Sequence, residues 1–135
     1  MATTVYPVLC ATDVGASAAF YREFFDFDVT FDSDWYVSLR HPDGAELAIL
    51  DSTHPTIPEG YRERARGVLV NVEVDDVDAV AARLEAAGVT VVQELRDEAF
   101  GQRHVIVRDP GDVLVDVITE IEPSAEFLAA FGSTD

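Results

Sequence analysis

Asp13-Val14-Gly15-Ala16-Ser17-Ala18-Ala19-Phe20-Tyr21, running on to Phe25-Asp26-Phe27, is the stretch that decides the fold, because the chain repeats its plan. About 62 residues later, Asp75-Asp76-Val77-Asp78 leads through Arg83-Leu84 to Ala87-Gly88-Val89. In both places an acidic residue able to cap a helix precedes a helical apolar pattern, and a strand follows. Each copy then reaches a similar turn, Arg40-His41-Pro42-Asp43-Gly44 in the first and Arg108-Asp109-Pro110-Gly111-Asp112 in the second. Each turn leads into an apolar strand holding one acid: Glu46 in Glu46–Leu50 and Asp116 in Val113–Ile118. Two copies of one unit imply a duplicated domain with a binding site between its halves.

Working outward, Val5–Ala11 reads as a strand weakened by Pro7, which removes a ladder donor. A helix is expected over 14–25 with Ala16, Ala19, Phe20 and Phe24 on its buried side. Phe27–Phe31 and Trp35–Arg40 alternate as strands do, and Gly44 supplies the positive φ of the hairpin turn between Arg40 and Glu46. Residues 52–66 hold Pro55, Pro58 and Gly60, then Arg62, Arg64 and Arg66, and form a linker long enough to be a functional or interface loop. The second unit reads as a strand over Val68–Val74, a helix over 77–87 stopped by Gly88, and strands over Val89–Leu95, Arg103–Arg108 and Val113–Thr119. Pro123-Ser124-Ala125-Glu126 opens a short helical tail, about 123–132, carrying Phe127, Leu128 and Phe131. The expectation is one α+β domain over 1–135, with module one at about 4–51 and module two at about 67–120.

The 135 residues carry a net charge of −17, and all nine basic residues are Arg. Such a charge repels phosphate backbones and anionic membranes, so neither nucleic acid nor membrane is an expected partner. No apolar run approaches the roughly 20 residues needed to span a bilayer. The first residues have neither a basic nor an apolar signal segment, which gives a cytoplasmic expectation. Cys10 is the single cysteine, so no internal disulfide and no zinc-binding Cys spacing exist.

The chain resembles the vicinal oxygen chelate superfamily, the glyoxalase/bleomycin-resistance/dioxygenase group. The resemblance rests on Asp13 with Ser17–Tyr21 and Phe25–Phe27, on Pro42–Leu47, on Val74–Asp78, and on Gly101–His104 leading into Arg108-Asp109-Pro110. It spans about residues 5–119. Asp26 stands where such proteins often have Gly, and Gly111-Asp112 inverts the usual order of the turn. The resemblance implies two βαβββ modules whose mixed sheets curl around a cleft, and a homodimer. In metal-dependent members four side chains bind a divalent ion, one from the first and one from the fourth strand of each module. Those places fall here on Tyr6, Glu46, Val68 and Asp116.

Val68 has no donor and Tyr6 is a weak one, so no metal and no other cofactor is expected. Glu46 and Asp116 remain as candidate catalytic acids or ligand contacts, because acids in apolar strands acquire perturbed proton affinities. The alternative is that they are satisfied by local hydrogen bonds. His104 on a strand is the histidine to watch; His41 in the turn and His54 in the linker read as solvated. At most one of Trp35 and Tyr36 lines the cleft, since strand neighbours point to opposite sides. The expected site is Tyr6, Glu46, Val68, Val70, His104 and Asp116, binding a small organic ligand without metal. The alternatives are a metal-dependent lyase, isomerase or dioxygenase, and a metal-free acid–base catalyst using Glu46 or Asp116.

Overall fold

A computed structural model describes residues 1–131. Its chain order is β1 (Val8–Ala11), α1 (Val14–Phe25), β2 (Asp28–Asp32), β3 (Tyr36–Arg40), β4 (Glu46–Asp51), β5 (Leu69–Glu73), α2 (Val77–Ala86), β6 (Val91–Glu98), β7 (Gln102–Arg108), β8 (Leu114–Glu120) and α3 (Ala125–Phe131). The expected βαβββ order is present twice. It forms two four-stranded mixed sheets, ordered β1-β4-β3-β2 and β5-β8-β7-β6, whose outer first strands run parallel to the fourth. Of the expected helical tail, residue 132 lies outside the described residues.

The chain divides into two compact units, one of Met1–Val68 with Asp109–Val113, the other of Leu69–Arg108 with Leu114 onward. The first unit thus includes the β7–β8 turn of the second repeat.

In the first unit the Asp13 side chain accepts a hydrogen bond from the Ala16 amide and starts α1. The helix ends at Asp26, which adopts the left-handed conformation at φ 62°. That conformation explains why glycine suits this place, since only glycine enters it without a Cβ penalty. The buried stripe of α1 is Val14, Ser17, Ala18, Phe20, Tyr21 and Phe25. This corrects the expected stripe: Ala16, Ala19 and Phe24 are only half-buried. The stripe packs on β3 and β4, against the strand face made by Leu9, Ala11, Val37, Leu39, Leu47 and Ile49, all buried. Phe20 and Tyr21 meet edge to face, with ring centroids 5.2 Å apart.

The two turns share one geometry. His41 N–H donates to Ala45 and Asp109 N–H to Val113, each closing the hairpin. The left-handed position falls on Gly44 (φ 102°) in the first turn and on Asp112 (φ 71°) in the second. Gly111 therefore serves another need. A Cβ there would lie 3.3 Å from Ser17 Oγ and 3.4 Å from Asp109 Oδ1, so the inverted Gly-Asp order follows from close approach to α1. Asp109 is the anchor of this turn. Its Oδ1 accepts from the Gly111 and Val113 amides, and its Oδ2 accepts from the Tyr21 hydroxyl at 2.7 Å.

In the second unit Asp76 caps α2 through the Ala79 amide, and Gly88 (φ 80°) follows its end. Val77 and Leu84 are its buried residues, and α2 packs on β6, β7 and β8. Val105, Val107, Val115 and Val117 form the buried strand face, each worth about 1.5–3 kcal/mol of apolar burial.

Candidate functional site

The opposite face of the second sheet is where polar chemistry collects. Register pairs Ile106 with Asp116 and His104 with Ile118, and pairs Arg96 with His104 across β6. His104 and Asp116 thus sit diagonally on one face, within reach of each other. His104 Nδ1 lies 2.7 Å from Asp116 Oδ1, and Nε2 lies 2.7 Å from Glu98 Oε2. Glu98 Oε2 also accepts from Arg96 Nε at 2.6 Å. The result is a chain of alternating charge, Asp116–His104–Glu98–Arg96, running from a buried strand to the surface. Side-chain exposure rises along it from 11% and 8% through 20% to 58%.

Both ring nitrogens of His104 face carboxylates, which accept and do not donate when ionised. With both carboxylates ionised, both nitrogens donate, which is the bonding pattern of an imidazolium. Burial works against a charge on the ring, but its hydrogen bonds to Glu98 and Asp116 outweigh it and raise the His104 pKa. The His104 and Arg96 donors in turn hold the Glu98 carboxyl below its usual range.

The sequence reading put His104 and Asp116 in one expected site, and the structure brings these two into hydrogen-bonding contact. It missed Glu98 and Arg96, because the expected strand stopped at Leu95 and the ladder shifts register twice between Val91 and Arg96. The register partner of Asp116 on the parallel strand β5 is Asn71, an exposed residue the sequence reading passed over. Val70 points to the other, α2-facing side with Val115. Val68 precedes β5 and is half-buried. Beside these strands Glu73, Val74, Asp75, Thr119 and Glu120 line a shallow depression. There Thr119 Oγ1 donates to the Val74 carbonyl and accepts from the Val77 amide, tying the start of α2 to β8.

In the first sheet the face away from α1 carries Val8, Cys10, Tyr36, Ser38, Arg40, Glu46, Ala48 and Leu50. Tyr6, just ahead of β1, hydrogen-bonds Tyr36, whose phenol pKa is raised by burial and then by that bond. Phe31 joins the same face opposite Ser38, is half exposed, and has its ring 6.3 Å from Tyr36. Of the two neighbouring aromatics, Tyr36 is therefore the one that shares a face with Glu46. Trp35 lies outside β3 and stacks on His54 of the linker at 3.9 Å, with ring planes 10° apart. This corrects the reading of His54 as solvated: the ring is half-buried and pins the linker. His41 is likewise half-buried, edge-on to Phe27 at 5.3 Å, and not a freely solvated turn residue. Glu46 is half-buried, and among the described residues it has no hydrogen-bond or ion-pair partner. Burial raises the Cys10 thiol pKa, which keeps it an unreactive thiol.

The four metal positions suggested by resemblance do not fit a divalent ion. Val68 offers no donor atom. Asp116 is committed to His104, and both nitrogens of that ring are engaged by carboxylates. Among the described residues no group of three His, Cys, Asp or Glu side chains is arranged to hold an ion.

Two βαβββ modules with this turn chemistry define a protein class, and the family comparison agrees. Residues 3–117 match the model of the Glyoxalase/Bleomycin resistance protein/Dioxygenase superfamily, and the chain belongs to that superfamily. Among solved structures it is similar to a glyoxalase/bleomycin resistance protein/dioxygenase from Nocardioides, with TM-score 0.71 and 21% identity over 90% of this chain and 86% of that one. It is also similar to lactoylglutathione lyase from Agrobacterium tumefaciens, with TM-score 0.66 and 23% identity over 87% and 94% of the two chains. TioX from Micromonospora sp. ML1 gives TM-score 0.67 and 23% identity over 89% and 100%. At these identities the likeness is one of fold. No curated protein matches the chain. No helix among the described residues is long and apolar enough to cross a membrane.

Proposed function

We propose that this protein binds a small organic ligand without a divalent metal, as a homodimer in the cytoplasm. The observation that carries the reading is the commitment of Asp116 to His104 at 2.7 Å, which removes a second position from a ligand set that already lacks a donor at Val68. What remains suits ligand binding. Tyr6, Phe31 and Tyr36 offer aromatic surface, and Glu46 adds a carboxylate with no partner of its own. A mainly apolar surface with a few polar groups is the usual make-up of a small-molecule site. The dimer is supported by exposed apolar side chains, among them Phe100, Leu128 and Phe131 in the second unit.

Native mass spectrometry of protein purified without added metal tests both parts. The expected species has the mass of two metal-free chains. About one zinc, nickel, iron or manganese per chain would overturn the metal-free reading, and a monomer at micromolar concentration would overturn the dimer.

A second reading is favoured by the same free carboxylate of Glu46: a metal-free catalyst in which Glu46 is the general base. Against any compound shown to bind, Glu46→Gln separates the two. Binding retained with conversion of the compound abolished selects catalysis. No conversion by the unaltered protein selects carriage.

A further inference from the structure

The two repeats treat their strand acids differently. Asp116 in the second is met by His104 from the neighbouring strand at 2.7 Å. Glu46 in the first has Arg40 as its register partner on β3, and Arg40 in turn has Asp28 opposite it on β2. Side chains paired directly across a ladder share one face. One guanidinium therefore stands between two carboxylates, and the row keeps a net negative charge. Among the described residues none of the three forms an ion pair. Asp28 and Arg40 are exposed, where water screens them, whereas Glu46 is half-buried. A carboxylate drawn partly out of water gains more from a counter-charge than an exposed one does.

The other neighbours of Glu46 on this face are rings. Tyr6 and Glu46 each lie two residues before the Val8–Ala48 pair of the parallel ladder, and the Ala48 amide donates to the Pro7 carbonyl, so the register carries on toward them. Tyr6 hydrogen-bonds Tyr36, whose ring lies 6.3 Å from that of Phe31. Tyr6 and Phe31 are both exposed.

We propose that this face of the first sheet takes an organic ammonium ion with a flat aromatic body, the ammonium pairing with Glu46 and the body lying against Tyr6, Tyr36 and Phe31. The proposal rests on the small-molecule reading and names the class of its ligand. The unpaired carboxylate selects positive charge. Aromatic faces attract that same charge within about 6 Å and stack on flat rings, so one molecule can use both. An anion drawn to Arg40 would meet a carboxylate on either side. Arg40 repels a cation from its own side, so the ammonium reaches Glu46 from the side of Tyr6. The net charge of −17 raises the concentration of cations around the whole chain.

The test is equilibrium dialysis at about pH 7 and constant physiological ionic strength, with three compounds that share an indole ring. Tryptamine carries an ammonium, since alkyl amines titrate near pH 10. Indole-3-propionamide is neutral, and indole-3-propionate is an anion. Tryptamine is expected to bind about tenfold more tightly than the amide, and the propionate more weakly than either. Glu46→Gln should bring tryptamine within about twofold of the amide, while Glu85→Gln, the same loss of charge on the exposed side of α2, should leave the tenfold ratio in place. Phe31→Leu should weaken tryptamine and the amide together by severalfold. Equal binding of tryptamine and the amide, an equal fall in the ratio with Glu85→Gln, or no binding of tryptamine at millimolar concentration would overturn the proposal. If Glu46→Gln does not fold, Overhauser contacts in the unaltered protein decide. The tryptamine methylenes should touch ring protons of Phe31 and Tyr36, and absence of those contacts would overturn it. A cation without advantage leaves the metal-free reading standing, and metal in the native mass spectrum sinks that reading without touching the charge preference measured here.

Discussion

Asp109→Ala is expected to destabilise the protein by about 3–5 kcal/mol, read as a fall in the urea midpoint. Asp109 is 4% exposed, and three donors converge on it. Removing the carboxylate strands the Tyr21 hydroxyl, which is fully buried and held well above its ordinary pKa first by burial and then by Asp109. It also strands the Gly111 and Val113 amides inside the turn. Each orphaned buried donor costs about 1–3 kcal/mol, and these losses overlap because they share one site. Tyr21→Phe should cost less, about 1–2 kcal/mol, because the carboxylate keeps its two backbone donors. Equal effects from the two substitutions would mean that the hydroxyl, and not the turn, supplies the stability.

The second large effect is expected at His104, and pH reveals it. Folding raises the proton affinity of this ring above the ordinary 6.5. The folded state therefore binds more protons than the unfolded one above that value. The stability this group contributes is fully present below about pH 6.5 and is lost as pH rises through its raised folded pKa. Glu98 acts in the other sense. Its folded pKa lies below 4.5, so its contribution is present above that value and lost as pH falls through the lowered one. Together the two groups favour the folded state most between about pH 4.5 and 6.5. His104→Gln should lower stability by about 3 kcal/mol at about pH 6, because it leaves the buried Asp116 without its counter-charge. It should also flatten the decline between about pH 6.5 and 9. Between about pH 6.5 and 9 the difference between the two proteins isolates His104, since Glu98, which His104 also perturbs, titrates below that window. Parallel stability curves would show that the ring is neutral in the folded protein.

What the sequence made legible was the local chemistry. The acids at Asp13 and Asp76 cap the helices, Gly44 and Gly88 take positive φ, and apolar alternation marks most strands. These signals need only near neighbours. What it concealed depends on partners far along the chain. The Tyr21–Asp109 bond joins residues 88 apart, and each taken alone reads as packing or turn. Glu98 and Arg96 were hidden for a different reason. They lie on β6, an edge strand, and edge strands carry charge that discourages pairing with another chain. The expected strand accordingly stops at Leu95, short of the charged run Arg96-Asp97-Glu98. The site suffered most from register. Glu46 and Asp116 were visible as acids in apolar strands, but which residue lies beside each follows from ladder pairing and from the bulges of β6.

The β7–β8 turn has a bearing on how the protein is made. The first unit looks, in one dimension, as though it ends at Val68, yet it draws Asp109–Val113 from well beyond that point. A nascent chain leaving the ribosome presents α1 long before it presents the carboxylate that receives the Tyr21 hydroxyl. Until residue 113 has cleared the exit tunnel, the N-terminal half lacks one of its own parts. A chain truncated between the repeats would leave that hydroxyl without its carboxylate partner.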